Sequence, residues 1–255
     1  MVCVNPYVIR FISASRKRGK TSLATRVVSD LISRGYVVGV VKHSRHYVDV
    51  SSKDSSRYLS AGAKEVLVSS SSVGAIFYSG WVDDLEYSLR YLNTPVVVVE
   101  GFKESSVGEA IAVVKDLKEF QALSDVTRNI VAVVSEDEGL RLELSRSLRV
   151  FRENEVSLIT DFIESRLLEF LEGQTPKINC GYCGYETCRA FVKAYVTGKT
   201  LWCPMKSDVN LLVNDDPVPM NPFVKNLLRS VIEGFISSLK RVDVSRKKVV
   251  VEINY

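Results

Sequence analysis

Residues 7–32 read YVIRFISASRKRGKTSLATRVVSDLI, and three segments follow one another within them. Tyr7 to Ser13 is a run of strand length. A basic turn comes next, and after it Leu23, Val27, Leu31 and Ile32 recur at helical spacing until Gly35 ends the helix. The turn, Ala14-Ser15-Arg16-Lys17-Arg18-Gly19-Lys20-Thr21, matches the phosphate-loop pattern GxxxxGK[ST] except at its first position, where Ala14 replaces glycine. That pattern needs backbone N–H groups curled around a phosphate, a helix N-terminus aimed at it, a lysine on the outer phosphates and a hydroxyl on magnesium. Gly19, Lys20 and Thr21 supply its last three residues, with Ser22 following, in the required context of strand, loop and helix. The simpler reading is a basic turn, since Arg16, Lys17 and Arg18 put three cations where small residues usually sit.

The same alternation runs through the first two thirds of the chain. Strands are expected at Val37–Val41, Val66–Ser70, Val73–Tyr78, Val96–Val99 and Ile130–Val134. Helices are expected at Ser52–Ala61, Asp83–Leu92, Glu138–Leu148 and Glu155–Glu172. Apolar runs of strand length alternating with amphipathic segments predict an α/β fold, a mostly parallel P-loop NTPase-like sheet with helices on both faces. Residues 1–173 are read as this nucleotide-binding domain. Residues 174–255 are read as a small α-rich domain, divided from it near Gly173–Pro176. In that second part Asn221 and Pro222 are placed to cap and open a helix whose apolar face, from Phe223 to Leu239, is expected to pack, and Lys248–Ile253 reads as a terminal strand.

A phosphate loop also needs a carboxylate at the end of a neighbouring strand to hold the magnesium shell, and Glu100, directly after Val96–Val99, is the candidate beside Thr21. Gly101 next to it predicts a close approach of backbone or ligand. The second strand runs into Lys42-His43-Ser44-Arg45-His46, at the carboxyl edge where open α/β sheets bind ligands. Lys42, His43 and His46 suit an anion or anionic substrate better than a metal. Asp54 and Arg57 either line the same crevice or form an ordinary polar helix face.

Four of the five cysteines, Cys180, Cys183, Cys188 and Cys203, form a second constellation, CxxCxxxxC and then CP. Four thiolates make a soft, electron-rich pocket that suits an iron–sulfur cluster or zinc, with disulfides the remaining alternative. The compact three-cysteine loop with a single distant fourth ligand before Pro204 is closer to a [4Fe-4S] loop than to the paired knuckles of a zinc ribbon. RAFVKAYVT, residues 189–197, reads as a short helix ending at Gly198 that carries the chain toward the fourth ligand. Cys3 stands apart.

Composition bounds the rest. The 255 residues carry 34 basic and 30 acidic side chains, a net charge of +4 that implies no nucleic-acid field. No apolar run approaches the about 20 residues that span a bilayer, and the N-terminus has no signal-peptide pattern. A cytoplasmic, reducing location is therefore expected, consistent with free thiols.

In order, GKT at 19–21, KHSRH at 42–46, KDSSRYLSAGA at 53–63 and VEGFK at 99–103 resemble MobB, the nucleotide-binding accessory protein of molybdopterin guanine dinucleotide synthesis, over roughly residues 5–170. The resemblance implies a homodimeric P-loop protein that binds GTP with magnesium, has at most weak GTPase activity and assists the guanylyltransferase that attaches GMP to molybdopterin. On it, residues 19–22 hold phosphates and Glu100 takes the acidic role. Ala14 and Lys17 depart from the family's glycine-rich loop and bear on hydrolysis. Separately, CGYCGYETCRAFVKAYVTGK at 180–199 is similar to small [4Fe-4S] domains of corrinoid-linked and electron-transfer proteins. The expectation is an accessory protein of molybdenum or tungsten cofactor maturation. A nucleotide-gated electron-transfer or metallochaperone module, and a small-molecule kinase, are its rivals. No NKxD-like element is present to select guanine.

Overall fold

Strand β1 (Tyr7–Ile12) is buried along its whole length because it is the centre of the sheet. A computed structural model describes residues 5–15, 19–44, 53–200, 203–205, 209–218, 220–240 and 248–253. In it β2 (Val38–Lys42), β5 (Val96–Glu100), β1, β6 (Glu109–Val113), β7 (Ile130–Val134) and β8 (Arg149–Phe151) stand in that order, every neighbouring pair parallel. The parallel arrangement puts the carboxyl ends of β2, β5 and β1 on one edge, where Lys42, Glu100 and the loop after Ile12 meet.

Side chains of β1 alternate between the two faces. Tyr7, Ile9 and Phe11 join Val96, Val98, Ile111 and Val134 under α1 (Lys20–Ser33) and α6 (Val156–Gly173). Along α6, Ile159, Ile163, Leu167 and Leu171 repeat every four residues and are wholly buried. Each such side chain contributes roughly 1.5–3 kcal/mol of burial free energy. On the opposite face α4 (Leu117–Ser124) and α5 (Glu138–Leu144) cover β6 and β7, and α3 (Leu85–Leu89) covers β5. Helices thus occupy both faces, as expected.

Polar ties reinforce the first face. Arg34 at the end of α1 bonds Asp161 at 2.5 Å and Glu164 at 3.0 Å on α6. Tyr7 donates to Glu109 Oε2 at 2.6 Å, and Arg166 of α6 pairs with the same carboxylate. Burial would raise Glu109, but the hydrogen bonds from Arg166 and Tyr7, with the charge of Arg166, hold it below the usual carboxylate range.

The short helix α7 (Cys188–Val196) packs into the same core, with Phe191, Val192, Tyr195 and Val196 beside Leu167 and Leu31. Val37 N–H donates to the Val196 carbonyl at 2.9 Å, so the cysteine-bearing segment is stitched to the start of β2, at the end of the sheet opposite the loop.

Several expectations are corrected. Strands β6 and β8 and helix α4 went unread, although β6 lies directly against β1. The two strands β3 (Glu65–Ser69) and β4 (Gly74–Tyr78) do pair with each other, as adjacent strands should, but as a separate antiparallel hairpin outside the main sheet. A further two-stranded pair, β9 (Leu212–Val213) with β10 (Asp216–Pro217), was also missed. Helix α8 (Pro222–Ser237) has its Asn221 cap, with the side chain accepting from Val224 N–H at 2.9 Å. Its apolar face turns outward, however: Phe223 is 73% and Phe235 65% exposed. The opposite face is the anchored one, since the buried Lys225 donates from Nζ to the Met205 carbonyl at 2.7 Å. Lys248–Ile253 forms no strand, because β propensity becomes a strand only against a partner and none of the described strands pairs with it.

Candidate functional site

At the carboxyl edge, Gly19 caps α1 in the left-handed conformation, φ +70°, and its carbonyl accepts the first helical bond from Leu23 N–H at 2.8 Å. A side chain there would be strained by the backbone and would run into the Glu153 carboxylate 2.8 Å away. Thr21 donates from Oγ1 to Glu100 Oε1 at 2.7 Å, and Lys42 Nζ lies 3.7 Å from Glu100 Oε2. The hydroxyl and carboxylate expected to share a magnesium ion, 79 residues apart in sequence, are therefore adjacent. Ser22 lies exposed in the first turn of α1. Arg16, Lys17, Arg18 and His46 of the expected site, like Cys3, lie outside the described residues.

Beside the loop opens a crevice of about 730 Å³. Ser13, Ala14, Ser15 and Lys20 line it, as do Gly101, Phe102, Lys103, Glu104 and Ser105, and His43, Asp83 and Asp84. Gly101 meets the expectation of close approach: with φ +104°, it lies where a Cβ would sit 2.8 Å from His43 Cβ. Phe102 also takes a left-handed φ, +49°, which for a bulky residue costs about 1–3 kcal/mol. Its ring stacks on His43 with centroids 4.3 Å apart, and His43 Nε2 meets Asp83 Oδ2 at 3.0 Å.

Arg10 holds the Phe102 backbone. Its side chain is wholly buried in β1, donating from Nη1 to the Phe102 carbonyl at 3.0 Å and from Nη2 to the Arg128 carbonyl at 2.9 Å, while Nε has no partner among the described residues. Burial lowers its pKa, yet a guanidinium keeps its proton. Asp83 lies in the segment between β4 and α3, whose Trp81 joins Tyr78, Tyr87 and Tyr91 in a ring cluster with centroids 5.0–5.8 Å apart.

Sequence reasoning singled out Lys20, His43, Thr21 and Glu100 but missed Asp83, Phe102 and Glu153. The aromatic in VEGFK and the Asp83-Asp84 pair before α3 were the available signals. Asp54 and Arg57 do not line the crevice. They pair with each other at 3.3 Å on α2 (Lys53–Ser60), 78% and 79% exposed, which is the polar-face alternative.

The four thiols are brought together elsewhere. Cys180, Cys183, Cys188 and Cys203 all line one small pocket with Tyr185, Phe191 and Pro204, and none of them is in a disulfide. Asn179, itself left-handed at φ +47°, accepts from Cys188 N–H at 2.9 Å, and Thr187 caps α7 by accepting from Ala190 N–H at 3.1 Å. Among the described residues no three ligating side chains close on a single-ion site. Four soft donors around an apolar floor, without a carboxylate or imidazole among the residues that line it, fit an iron–sulfur group by the chemistry of the donor set.

No helix among the described residues is long and apolar enough to cross a membrane. Comparison with known proteins finds matches to two regions of the chain. Residues 8–136 match the family described as "Molybdopterin guanine dinucleotide synthesis protein B", and residues 176–201 the family described as "Putative Fe-S cluster". A protein of Methanocaldococcus jannaschii named "Putative molybdopterin-guanine dinucleotide biosynthesis adapter protein" is 31% identical over 92% of this chain and 93% of its own length. The Haemophilus influenzae "Molybdopterin-guanine dinucleotide biosynthesis adapter protein" is 30% identical over 60% of this chain and 85% of its own. Among solved structures, a "molybdopterin-guanine biosynthesis protein B (mobB)" superposes with a TM-score of 0.50 at 29% identity, covering 63% of this chain and 98% of that one. Bacillus subtilis MobB superposes with a TM-score of 0.52 at 22% identity over 63% of this chain and 97% of its own, a likeness of fold. With residues 8–136 matched by the family and a relative 31% identical over 92% of this chain, the chain belongs to the molybdopterin guanine dinucleotide synthesis protein B family, MobB.

Proposed function

We propose that the chain is a GTP-binding adapter in molybdopterin guanine dinucleotide synthesis that also carries a [4Fe-4S] cluster. The observation that carries the nucleotide half is the Thr21–Glu100 contact at 2.7 Å at the foot of a loop whose Lys20 lines an open crevice. Lys20 would neutralise the outer phosphates, Gly19 gives the loop its turn into the α1 N-terminus, and Thr21 with Glu100 would hold magnesium and its water. Any hydrolysis would rest on positioning and charge stabilisation and would be slow. GTP rather than ATP, a homodimeric state and a guanylyltransferase partner belong to this proposal through the family.

Cys180, Cys183, Cys188 and Cys203 would hold the cluster, which when bound supplies one-electron redox chemistry or a rigid docking point. Tyr185 and Phe191 keep its seat apolar. A second reading, a nucleotide-gated iron–sulfur module, is favoured by the core that α7 shares with α1. Anaerobic purification, iron and sulfide analysis, and parallel titrations with GTP and ATP in magnesium test the proposal. Four iron and four sulfide per chain with a preference for GTP support it. A colourless zinc protein sinks the cluster, and indifference to both nucleotides sinks the loop. A cluster potential that moves when GTP binds selects the gated reading.

A further inference from the structure

We infer that Lys225 is a positioning residue for the cysteine pocket: its buried ammonium, held against the Cys203-Pro204-Met205 turn, supplies the positive charge that a group bound by four thiolates needs. The inference rests on the cluster reading above and concerns a residue outside the stretch that carries the ligands. Lysine is among the side chains least often buried, yet Lys225 is 8% exposed. It is the one buried residue of α8, whose Phe223 and Phe235 face outward. Its Nζ donates to the Met205 carbonyl at 2.7 Å, and among the described residues no carboxylate lies within ion-pair distance of it. A carbonyl offsets only part of the cost of taking an ammonium out of water, and an apolar residue at position 225 would anchor α8 without that cost. The charge therefore marks an anionic neighbour.

The four thiolates are that anion. Cys203, two residues before Met205, is buried in the core that also holds Phe191 and Tyr195. No lysine or arginine is among the residues that line the pocket. Lys177, Arg189 and Lys193, in the same stretch of chain, are exposed, where water and salt screen them. Cys180, Cys183 and Cys188 are each followed by a residue with a backbone N–H, whereas Cys203 is followed by Pro204, which has none. The pocket is thus one backbone donor short on the side where Lys225 stands. A buried charge acts through a medium of lower dielectric than water and keeps its reach. A cation beside four thiolates favours the state of the bound group that holds the extra electron, and so raises its reduction potential.

Three variants of the full chain separate charge from anchoring. Lys225→Met removes both donor and charge, Lys225→Gln keeps a donor without the charge, and Lys225→Arg keeps both. Each is purified anaerobically, its iron content is measured, and its reduction is followed by electron paramagnetic resonance in a dithionite titration. Lys225→Arg should match the unaltered chain. Lys225→Met and Lys225→Gln should shift the equilibrium about tenfold toward the oxidised form, 59 mV for one electron, the scale of one buried charge. A Lys225→Gln protein that matches the unaltered chain makes Lys225 a helix anchor and overturns the inference, as do three variants that all shift alike. Where the Met and Gln variants purify without iron, retention of iron by Lys225→Arg supports the inference and its loss there overturns it. Zinc in place of iron and sulfide in the unaltered chain defeats the cluster reading alone. Chelator competition then decides the role of Lys225: zinc held about tenfold more weakly by the Met and Gln variants but not by Arg supports it, and equal affinity in all overturns it. An unaltered chain that holds neither metal defeats both.

Discussion

The loop edge of the sheet and the cysteine pocket are built in opposite ways. At the edge, each contributing side chain comes from a different element: Thr21 from α1, His43 and Glu100 from the ends of β2 and β5, and Asp83 from the turn before α3. The parallel sheet carries them, and its central strands β1 and β5 are buried. The pocket, by contrast, is lined from residues 176–204, with one short helix and a tight loop in which Lys177, Asn179, Gly181 and Gly184 all take positive φ. Its own hydrophobic support is α7, which leans on α6 and α1. A site made by topology should survive loss of its ligand, whereas a site made by one loop should depend on its metal.

The sharpest break of this contrast is removal of a cysteine. Cys188→Ser should abolish iron binding and strip amide protection from residues 176–205, measured by hydrogen exchange, while GTP affinity stays within about twofold, as expected for sites that share no ligand contacts. If GTP binding collapses with the iron, the two regions are one unit and the contrast is wrong. Lys20→Ala is the reciprocal test: GTP affinity should fall about a hundredfold, from loss of charge-assisted hydrogen bonds to phosphate, with iron content unchanged.

Leu167 distinguishes independence of ligands from independence of folding. It is wholly buried on α6 in the core shared by the sheet, α1 and α7. Leu167→Ala should lower stability by about 2–5 kcal/mol in urea unfolding. One cooperative transition carrying both pockets is expected, and two separate transitions would give the cysteine region its own fold.

A smaller effect concerns the carboxylate beside the loop. Glu153, 43% exposed and paired with Arg26 at 3.2 Å, stands next to Gly19 where incoming phosphate charge would be repelled. Glu153→Gln should tighten GTP by about threefold at low salt and by less at high salt, because exposed charges are screened. Smallest is the response to acid. The pKa of Glu109 is depressed in the folded chain, so its stabilisation is complete above the ordinary carboxylate range and is lost as pH falls through the lowered value. Glu109→Gln should flatten the acid limb of a stability-against-pH curve, and an unchanged limb would assign that limb to other carboxylates.

Legibility follows the same division. The four cysteines, Gly19-Lys20-Thr21 and Glu100 were readable because each sits in a local pattern whose chemistry depends on spacing. Strand β6, EAIAV, was not, because five residues with two alanines carry little propensity, and burial against β1 is what makes them a strand. The crevice wall was unreadable for a related reason: nothing in the spacing of Arg10, His43, Asp83 and Phe102 links them until β1, β2 and β5 align. The apolar face of α8 shows the converse, since periodicity revealed the helix and its cap but not which face would turn inward.

By itself the sequence determined the fold class, the start of α1 at Gly19-Lys20-Thr21, the acidic residue at the end of β5 and the soft donor set, because these depend on residue type and on distance along the chain. Tertiary structure alone decided that Thr21 touches Glu100, that a buried arginine pins Phe102 against His43, and that α7 shares its core with α1. Those are contacts between residues tens of positions apart, and only the sheet's pairing order brings such residues within a few ångströms of one another.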